Sequence, residues 1–244
     1  VAKAPPDGYT LLVGNHAGLA MLPHLSKIPY DPFKSFAPVI LLVTVPNILV
    51  VHPSVPAKSL SELIAYAKAN PGKLTYASQG VGASGHIAGE LFKLHAGVDI
   101  VHVPYKGAAP AVADIAAGQI PMGYNSLPAA LPLIQDGKIR PLGVTSKERM
   151  PQIPKVPSIS EHLPGYELVN YFGVFGPAGM PQPIIEKLNR AVEAALKEPA
   201  LKSRFETLGL LPQSQTPEQA KAYVAAEAAK FAKIIVDAKV SPEG

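Results

Sequence analysis

The sequence has no cysteine, and only 16% of its 244 residues are charged. The absence of cysteine excludes disulfide bonds, thiolate metal ligands and cysteine nucleophiles. No apolar run reaches the roughly 18 residues that a membrane-spanning helix needs. The 22 basic residues are dispersed, without a run that could follow a phosphate backbone. We therefore expect no nucleic-acid partner.

Short β-type runs alternate with helical stretches along the chain, which is typical of an α/β protein. Hydrophobic residues make up 48% of the sequence, and the length allows one large domain or two small lobes. The 27 prolines are about twice the usual share, and they stand at element boundaries. We predict strands at residues 10–13, 38–43, 47–52, 74–78, 100–104, 120–124, 139–144 and 166–175.

Helix ends are marked by capping residues. Ser59 with Glu62 and Thr216 with Gln219 each form a capping box, and the second begins a terminal helix that we expect to end near residue 238. Two extended stretches, 46–53 and 166–177, are predicted to cross between two lobes. We predict that lobe 1 comprises residues 1–52 and 167–244, and lobe 2 residues 53–166.

A glycine-rich turn at residues 78–85 connects a predicted strand to a helix that begins near His86. Glycines allow backbone N–H groups to approach an anion, and a helix N-terminus adds partial positive charge. Ser78 and Ser84 can donate hydroxyl hydrogen bonds. The turn is thus a candidate carboxylate or phosphate cradle, in which we expect the Gly82 and Gly85 amides to share one anion. An ordinary strand-to-helix turn is the alternative.

The residues of the turn argue against three other kinds of site. Gly80, Gly82 and Gly85 match the dinucleotide-binding fingerprint, but the acid about 20 residues later, Asp99, begins the next strand instead of ending it. Ser84 lacks the closing glycine of a hydrolase nucleophile elbow. His86 and the histidine nine residues later lie on different helix faces, so no metal site is expected.

Other predicted strands also end in loops with small polar donors. Gly14, Asn15 and His16 follow the first strand and form either a binding loop or a helix cap. Tyr105 and Lys106 form either a turn that can bind an anion or a surface turn with a solvated lysine. Asn125 ends another strand, where it is either part of a binding loop or a cap for the next helix. No base, nucleophile and orienting group stand in evident relation, so the pattern favours a binding site over an active site.

Short motifs along the whole chain carry a family likeness. They are PDGYTLL at 6–12, YDP at 30–32, ANPGKL at 69–74, SQGVGASG at 78–85, VPYKG at 103–107, GKIRPLGVTS at 137–146 and GPAGMP at 176–181. In this order and spacing the chain resembles the Bug receptors, the extracytoplasmic solute receptors of tripartite tricarboxylate transporters.

The resemblance implies an α/β, type II periplasmic-binding-protein fold whose two lobes bind a small di- or tricarboxylate, without metal or cofactor. It also implies a periplasmic location, membrane transporter subunits as partners and a monomer when the chain is complete. Carried over to this sequence, the second-lobe cradle falls on Ser78, Gly82, Ser84 and Gly85. The first-lobe loop falls on Gly14, Asn15 and His16. A nucleotide-dependent enzyme using residues 80–85 and a sensory module of the same fold are the alternatives.

Two departures from the family pattern carry expectations of their own. An aspartate often stands at the place of Asn125, so we expect a ligand without an ammonium group there. Family members also carry a strand, a glycine-bearing loop, a helix and a second strand before the PDGY motif. We therefore expect residues upstream of Val1 in the native protein, and an exposed edge on the first strand without them.

Overall fold

The computed structural model describes residues 1–238 and 240, and it divides into two compact units. Unit 1 comprises Val1–Thr44 and Asn170–Lys233. Unit 2 comprises Val45–Val169 together with the chain from Ile234 onward. The lobe boundaries that we expected, near residues 52 and 166, stay a prediction.

Unit 1 is built on an antiparallel sheet. Strand β1 (Leu12–Asn15) pairs with β7 (Val169–Pro177), which neighbours the first part of the long strand β2 (Phe36–Val51). The two-residue strand β8 (Leu211–Pro212) pairs with β2 at Val43 and Thr44. A π-helical turn (Ala17–Met21) and helix α1 (Leu22–Leu25) follow β1. Helices α6 (Gln182–Leu196), α7 (Pro199–Leu208) and most of α8 (Pro217–Asp237) complete the unit.

Unit 2 has a mixed sheet with helices between its strands. Strand β3 (Leu74–Ser78) is parallel to both β4 (Ile100–Pro104) and β5 (Met122–Ser126). The second part of β2 is antiparallel to β5 on one side and to β6 (Arg140–Val144) on the other. Helices α2 (Leu60–Ala69), α3 (Ser84–Ala96), α4 (Ala108–Ala116) and α5 (Leu127–Gln135) lie between them in sequence, and a 3₁₀ turn (Ile159–Glu161) follows. The mixed sheet with intervening helices confirms the predicted α/β class.

The strand predictions fail where proline was taken as a terminator. The two strands expected at 38–43 and 47–52 are a single strand, β2. Pro46 does not interrupt it, because this residue lies between the segment that pairs with β8 and the segment that pairs with β5 and β6. A proline at that point leaves both ladders intact. The predictions at 74–78 and 100–104 match β3 and β4 at both ends.

The predicted helix caps are present. Thr216 and Gln219 exchange hydrogen bonds between side chain and backbone, as a capping box requires. At α2 the Glu62 N–H donates to Ser59 Oγ, but the Glu62 carboxylate accepts from the Lys58 N–H, one residue before the N-cap, so only the serine half of the predicted box is formed. Helix α7 was not predicted, since none of its residues is fully buried and its apolar periodicity is correspondingly weak. Among the described residues, no helix combines the length and the apolar character needed to cross a membrane.

Helix α3 approaches strand β3 closely because the helix carries a glycine at the contact. A Cβ on Gly89 would lie inside the van der Waals contact distance of the ring of Tyr76, which is fully buried. The Tyr76 hydroxyl donates to Glu90 Oε1, and Glu90 also pairs with Lys93. These contacts fix the position of α3, and therefore of its N-terminus, against the sheet.

Candidate functional site

The glycine turn leads directly into the N-terminus of helix α3. The helix begins at Ser84, two residues before the predicted start, and its N-cap residue is Ala83. Alanine has no side-chain acceptor, so it cannot satisfy the N–H groups of the first turn. The acceptor for the Gly85 N–H comes instead from Gln79, whose Oε1 lies 3.0 Å from the Gly85 nitrogen.

Four residues around this N-terminus form what we call the amide cluster: Asn47, Gln79, Ser84 and Gly85. Gln79 Nε2 donates to Asn47 Oδ1 over 3.3 Å, and Ser84 Oγ donates to the same oxygen over 3.3 Å. The Gly85 N–H fixes which end of the Gln79 amide is the oxygen, and this in turn fixes the orientation of the Asn47 amide. The donor and the acceptor of every hydrogen bond within the cluster are therefore determined.

Asn47 is held by Thr145, the residue that follows strand β6. Its backbone N–H donates to Thr145 Oγ1 over 2.8 Å, and its carbonyl accepts from Thr145 N over 2.9 Å. Asn47 is 1% exposed, yet its Nδ2 has no hydrogen-bond partner. A buried unpaired amide group is costly unless something else satisfies it.

The donor set of the amide cluster includes one unpaired group. The Gly85 N–H, the Ser84 hydroxyl and Gln79 Nε2 each donate within the cluster, whereas Asn47 Nδ2 has no partner. A carboxylate is acceptor-only, with two oxygens and about four lone-pair sites, so it complements this set. The partial positive charge of the α3 N-terminus acts in the same direction.

A pair of stacked histidines supports the glycine turn. His86 and His102 have ring centroids 4.0 Å apart and planes 9° from parallel. Gly82 N–H donates to His86 Nδ1 over 3.1 Å, and Ser78 Oγ lies 2.6 Å from His102 Nε2. Burial lowers the pKa of both rings, and that of His102 falls to about 3. Both rings are therefore neutral at pH 7.

Gly82 and Gly85 do not share one acceptor. The Gly82 N–H is directed to His86 and the Gly85 N–H to Gln79, and Ser78 is fully buried with its hydroxyl bonded internally. Ser84 and Gly85 thus belong to the amide cluster, whereas Ser78 and Gly82 belong to the histidine support. Whether each contacts a ligand stays a prediction.

The loop after β4 is joined to the glycine turn through the backbone. Tyr105 N–H donates to the Ser78 carbonyl over 3.1 Å, and the Tyr105 hydroxyl lies 2.6 Å from Asp114 Oδ2. Burial and this carboxylate raise the pKa of Tyr105 to about 12. Lys106 is exposed.

Asn125 lies on strand β5, one position from the residue that pairs with Asn47, but its side chain is on the other face of the sheet. Asn47 is paired with Ser126, and Asn125 is paired with Ile48. Because strand residues alternate between faces, the two asparagines project to opposite sides. Asn125 is fully buried, and neither atom of its side-chain amide has a hydrogen-bond partner.

The three residues predicted in unit 1 separate into two environments. Gly14 and Asn15 line a groove of about 350 Å³, together with mostly apolar residues that include Leu12, Leu19 and Phe36. His16 is 2% exposed and bonds through Nδ1 to Asn170 Oδ1. Burial lowers the pKa of His16 to about 4.

The dinucleotide fingerprint does not have its acid in place. Asp99 directly precedes β4, and its carbonyl accepts from Gly72 N–H. The parallel register aligns Leu74 with Ile100 and Ser78 with Pro104, which leaves Asp99 a full strand length from the glycine turn. Within residues 1–238 and 240, no cluster of three or more metal-ligating side chains is found.

Sequence reasoning missed Asn47, Gln79, His102 and Thr145. Asn47 did carry a signal, because it is the single polar residue in the run VPNILVV at 45–51. Gln79 stands within the glycine turn, but its side chain was not assigned a role there. His102 and Thr145 carried no signal, since their roles depend on contacts with segments far away in sequence.

Comparison with known proteins places these features in a family. The sequence profile described as "Tripartite tricarboxylate transporter family receptor" matches residues 1–240. A protein encoded between tcbD and tcbE in Pseudomonas sp. strain P51 is 37% identical over 99% of this chain and 72% of its own length. BugT of Bordetella pertussis is 35% identical over 96% of this chain and 73% of its own length.

Solved structures agree with the sequence comparison. Rpa4515 of R. palustris, solved with adipate, is 38% identical, with a TM-score of 0.91 over 99% of this chain and 81% of that one. MatC of Rhodopseudomonas palustris, solved with bound malate, is 32% identical, with a TM-score of 0.85 over 96% of this chain and 82% of that one. The predicted periplasmic-binding-protein fold is confirmed by these matches.

Proposed function

The chain belongs to the family of tripartite tricarboxylate transporter receptors, and from that premise we propose that it captures a small organic acid of di- or tricarboxylate type in the periplasm for such a transporter. The family and its solved members are receptors and not enzymes, which confirms the predicted receptor over the nucleotide-dependent enzyme. The transporter subunits, the ligand and the periplasmic location of this chain are parts of the proposal.

One observation carries the proposal: the unpaired, buried amide nitrogen of Asn47 in the amide cluster. Asn47 Nδ2 is buried without a partner, beside the Ser84 hydroxyl and the first turn of α3. Hydrogen bonds from neutral donors to a charged acceptor are worth about 1.5–3 kcal/mol each. Two or three such bonds bind a carboxylate without a buried lysine or arginine, and they release it without breaking an ion pair. The adipate and malate bound to the two relatives are ligands of this chemistry.

Asn125 narrows the ligand class within this proposal. Its amide is neutral and fully buried, and it stands where the family resemblance places an aspartate in many members. A carboxylate there would attract a ligand ammonium group, whereas an amide supplies no compensating charge. Asn125 and Asn47 project from opposite faces of the sheet, so our proposal that the preferred ligand carries no amine rests on the family resemblance and is separate from the amide cluster.

A thermal-shift panel tests the proposal directly. Adipate, malate and citrate are the carboxylate probes, aspartate is the amine-bearing match for malate, and NAD is the nucleotide probe. A carboxylate at about 100 times its Kd is expected to add roughly 2.7 kcal/mol to the free energy of unfolding. We expect at least one of the three carboxylates to do so, malate to exceed aspartate, and NAD to have no effect. Stabilisation by NAD alone would contradict the proposal.

A further inference from the structure

The Gln79 side chain occupies the position in which a ligand carboxylate would meet helix α3. Its amide oxygen accepts the Gly85 N–H at 3.0 Å, and its amide nitrogen donates to Asn47. A carboxamide has the planar shape of a carboxylate, with one oxygen replaced by NH₂. Gln79 therefore bonds the same Gly85 donor that a ligand carboxylate would use.

The Gly85 N–H already has an acceptor. Gln79 Oε1 accepts it at 3.0 Å, and a Cβ built on Gly85 would also clash with this oxygen and with the Tyr124 carbonyl, so Gln79 and the main chain of β5 pack closely on this residue. Because a backbone amide carries a single N–H donor, a ligand oxygen that takes this hydrogen bond must displace the Gln79 oxygen.

The turn geometry allows this displacement without unfolding the turn. Gln79 is half-buried, and its backbone carbonyl is held separately by Gly107 N–H over 3.1 Å. The side chain has rotatable bonds and can swing away while the main chain stays bonded to the loop after β4. When the Gln79 side chain swings away, Asn47 Oδ1 loses the hydrogen bond from Gln79 and keeps the one from the Ser84 hydroxyl.

We infer that Gln79 is an internal competitor of the ligand: its carboxamide binds the Gly85 N–H in place of a carboxylate, and this competition sets the affinity of the receptor. The inference rests on the proposed function, because a competitor matters only if a carboxylate binds at the amide cluster. It goes beyond that function by assigning to Gln79 a role opposite to that of a ligand-binding residue. Removing the side chain should strengthen binding.

Calorimetry on two variants with adipate and malate as probes tests the competition. We expect Gln79→Ala to lower the Kd by about three- to tenfold, the change that follows from removing one competing hydrogen bond of ordinary strength. Gln79→Glu places a permanent carboxylate near the α3 N-terminus, where repulsion should raise the Kd by more than about tenfold. Gln119→Ala, an exposed glutamine of unit 2 outside the turn, is the matched control and should leave the Kd unchanged.

A second readout is independent of any ligand. Hydrogen exchange of the Gly85 amide should be faster in Gln79→Ala than in the wild-type protein or in Gln119→Ala, because the acceptor has been removed. Unchanged exchange at Gly85 would remove the premise and overturn the inference.

The two proposals fail in different ways. If the wild-type protein binds a probe and Gln79→Ala binds it equally or more weakly, the internal competitor is wrong and the carboxylate receptor stands. If neither the wild-type protein nor any variant binds a carboxylate, the proposed function fails and the competition fails with it.

Discussion

Gly82 adopts a left-handed backbone conformation at the centre of the glycine turn, with a φ of +71°. Aspartate and asparagine tolerate this region better than other residues with a side chain, so they are the least strained substitutions for this glycine. They differ in charge and hardly in shape. This pair of substitutions therefore separates the electrostatics of the turn from its geometry.

We expect Gly82→Asp to raise the Kd for a carboxylate probe by more than about tenfold, because its charge lies beside the N-terminus of α3 where the ligand charge must sit. Gly82→Asn carries the same backbone strain without the charge, so its Kd for the same probe should rise distinctly less. Calorimetry on both, with melting temperatures as the folding control, measures the difference. Equal losses in the two variants would contradict an anion position near this turn.

At the scale of secondary-structure elements, the packing of α3 on β3 places the amide cluster. The contact depends on Gly89 lying over the buried ring of Tyr76, which is also held by its hydroxyl bond to Glu90. Gly89→Ala adds a methyl group where the ring cannot retreat, and such overpacking costs about 1–3 kcal/mol. Because the added methyl group would meet ring atoms well inside contact distance, we expect a cost in the upper part of this range, above the roughly 1 kcal/mol that alanine gains over glycine in a helix.

Urea unfolding should therefore show Gly89→Ala to be less stable than the wild-type protein. Gly18→Ala is a suitable control, because a Cβ there meets only the Tyr30 hydroxyl at an ordinary 3.5 Å. A Gly89→Ala variant that is as stable as the wild-type protein would mean that α3 and β3 can separate slightly without cost.

The elements of unit 2 were predictable from sequence because their signals are local. The short β-type runs of β3 and β4, and the capping residues of α2, are each contained within a few consecutive residues. The amide cluster was only half predictable. Ser84 and Gly85 follow from the glycine turn, but Asn47 comes from a strand more than 30 residues away, and its orientation depends on Thr145. No local pattern records which face of β2 meets the first turn of α3.

At the scale of the whole molecule, three histidines with lowered pKa values link stability to pH. Burial is the largest cause at each: the pKa of His16 falls to about 4, that of His102 falls to about 3, and that of His86 falls as well. In the unfolded chain these groups titrate near 6.5. As the pH drops below that value, the unfolded chain binds protons that the folded protein does not, and the free energy of unfolding decreases.

We expect this loss to begin near pH 6.5 and to be visible before the carboxylates titrate, since the pKa values of Asp31, Glu161, Glu193 and Glu218 are lowered from 3.8 or 4.5. Urea unfolding between pH 7.5 and 4.5 measures the slope. His102→Gln should reduce it, whereas substitution of the exposed His24 should not. Stability that is constant over this range would show that the buried rings accept protons in the folded state.

The two units differ in how their residues are distributed along the chain. Nearly all of unit 2 comes from one uninterrupted stretch, Val45–Val169, whereas unit 1 needs both the first residues and the segment Asn170–Lys233. Chains are synthesised from the N-terminus, and compact units fold as their residues become available. As the chain becomes available from its N-terminus, the sheet that carries the amide cluster can therefore form while β1 and the first part of β2 still wait for β7. During that interval the apolar surface of these early strands is exposed. We therefore expect unit 1, and not the sheet of the candidate ligand site, to be completed last.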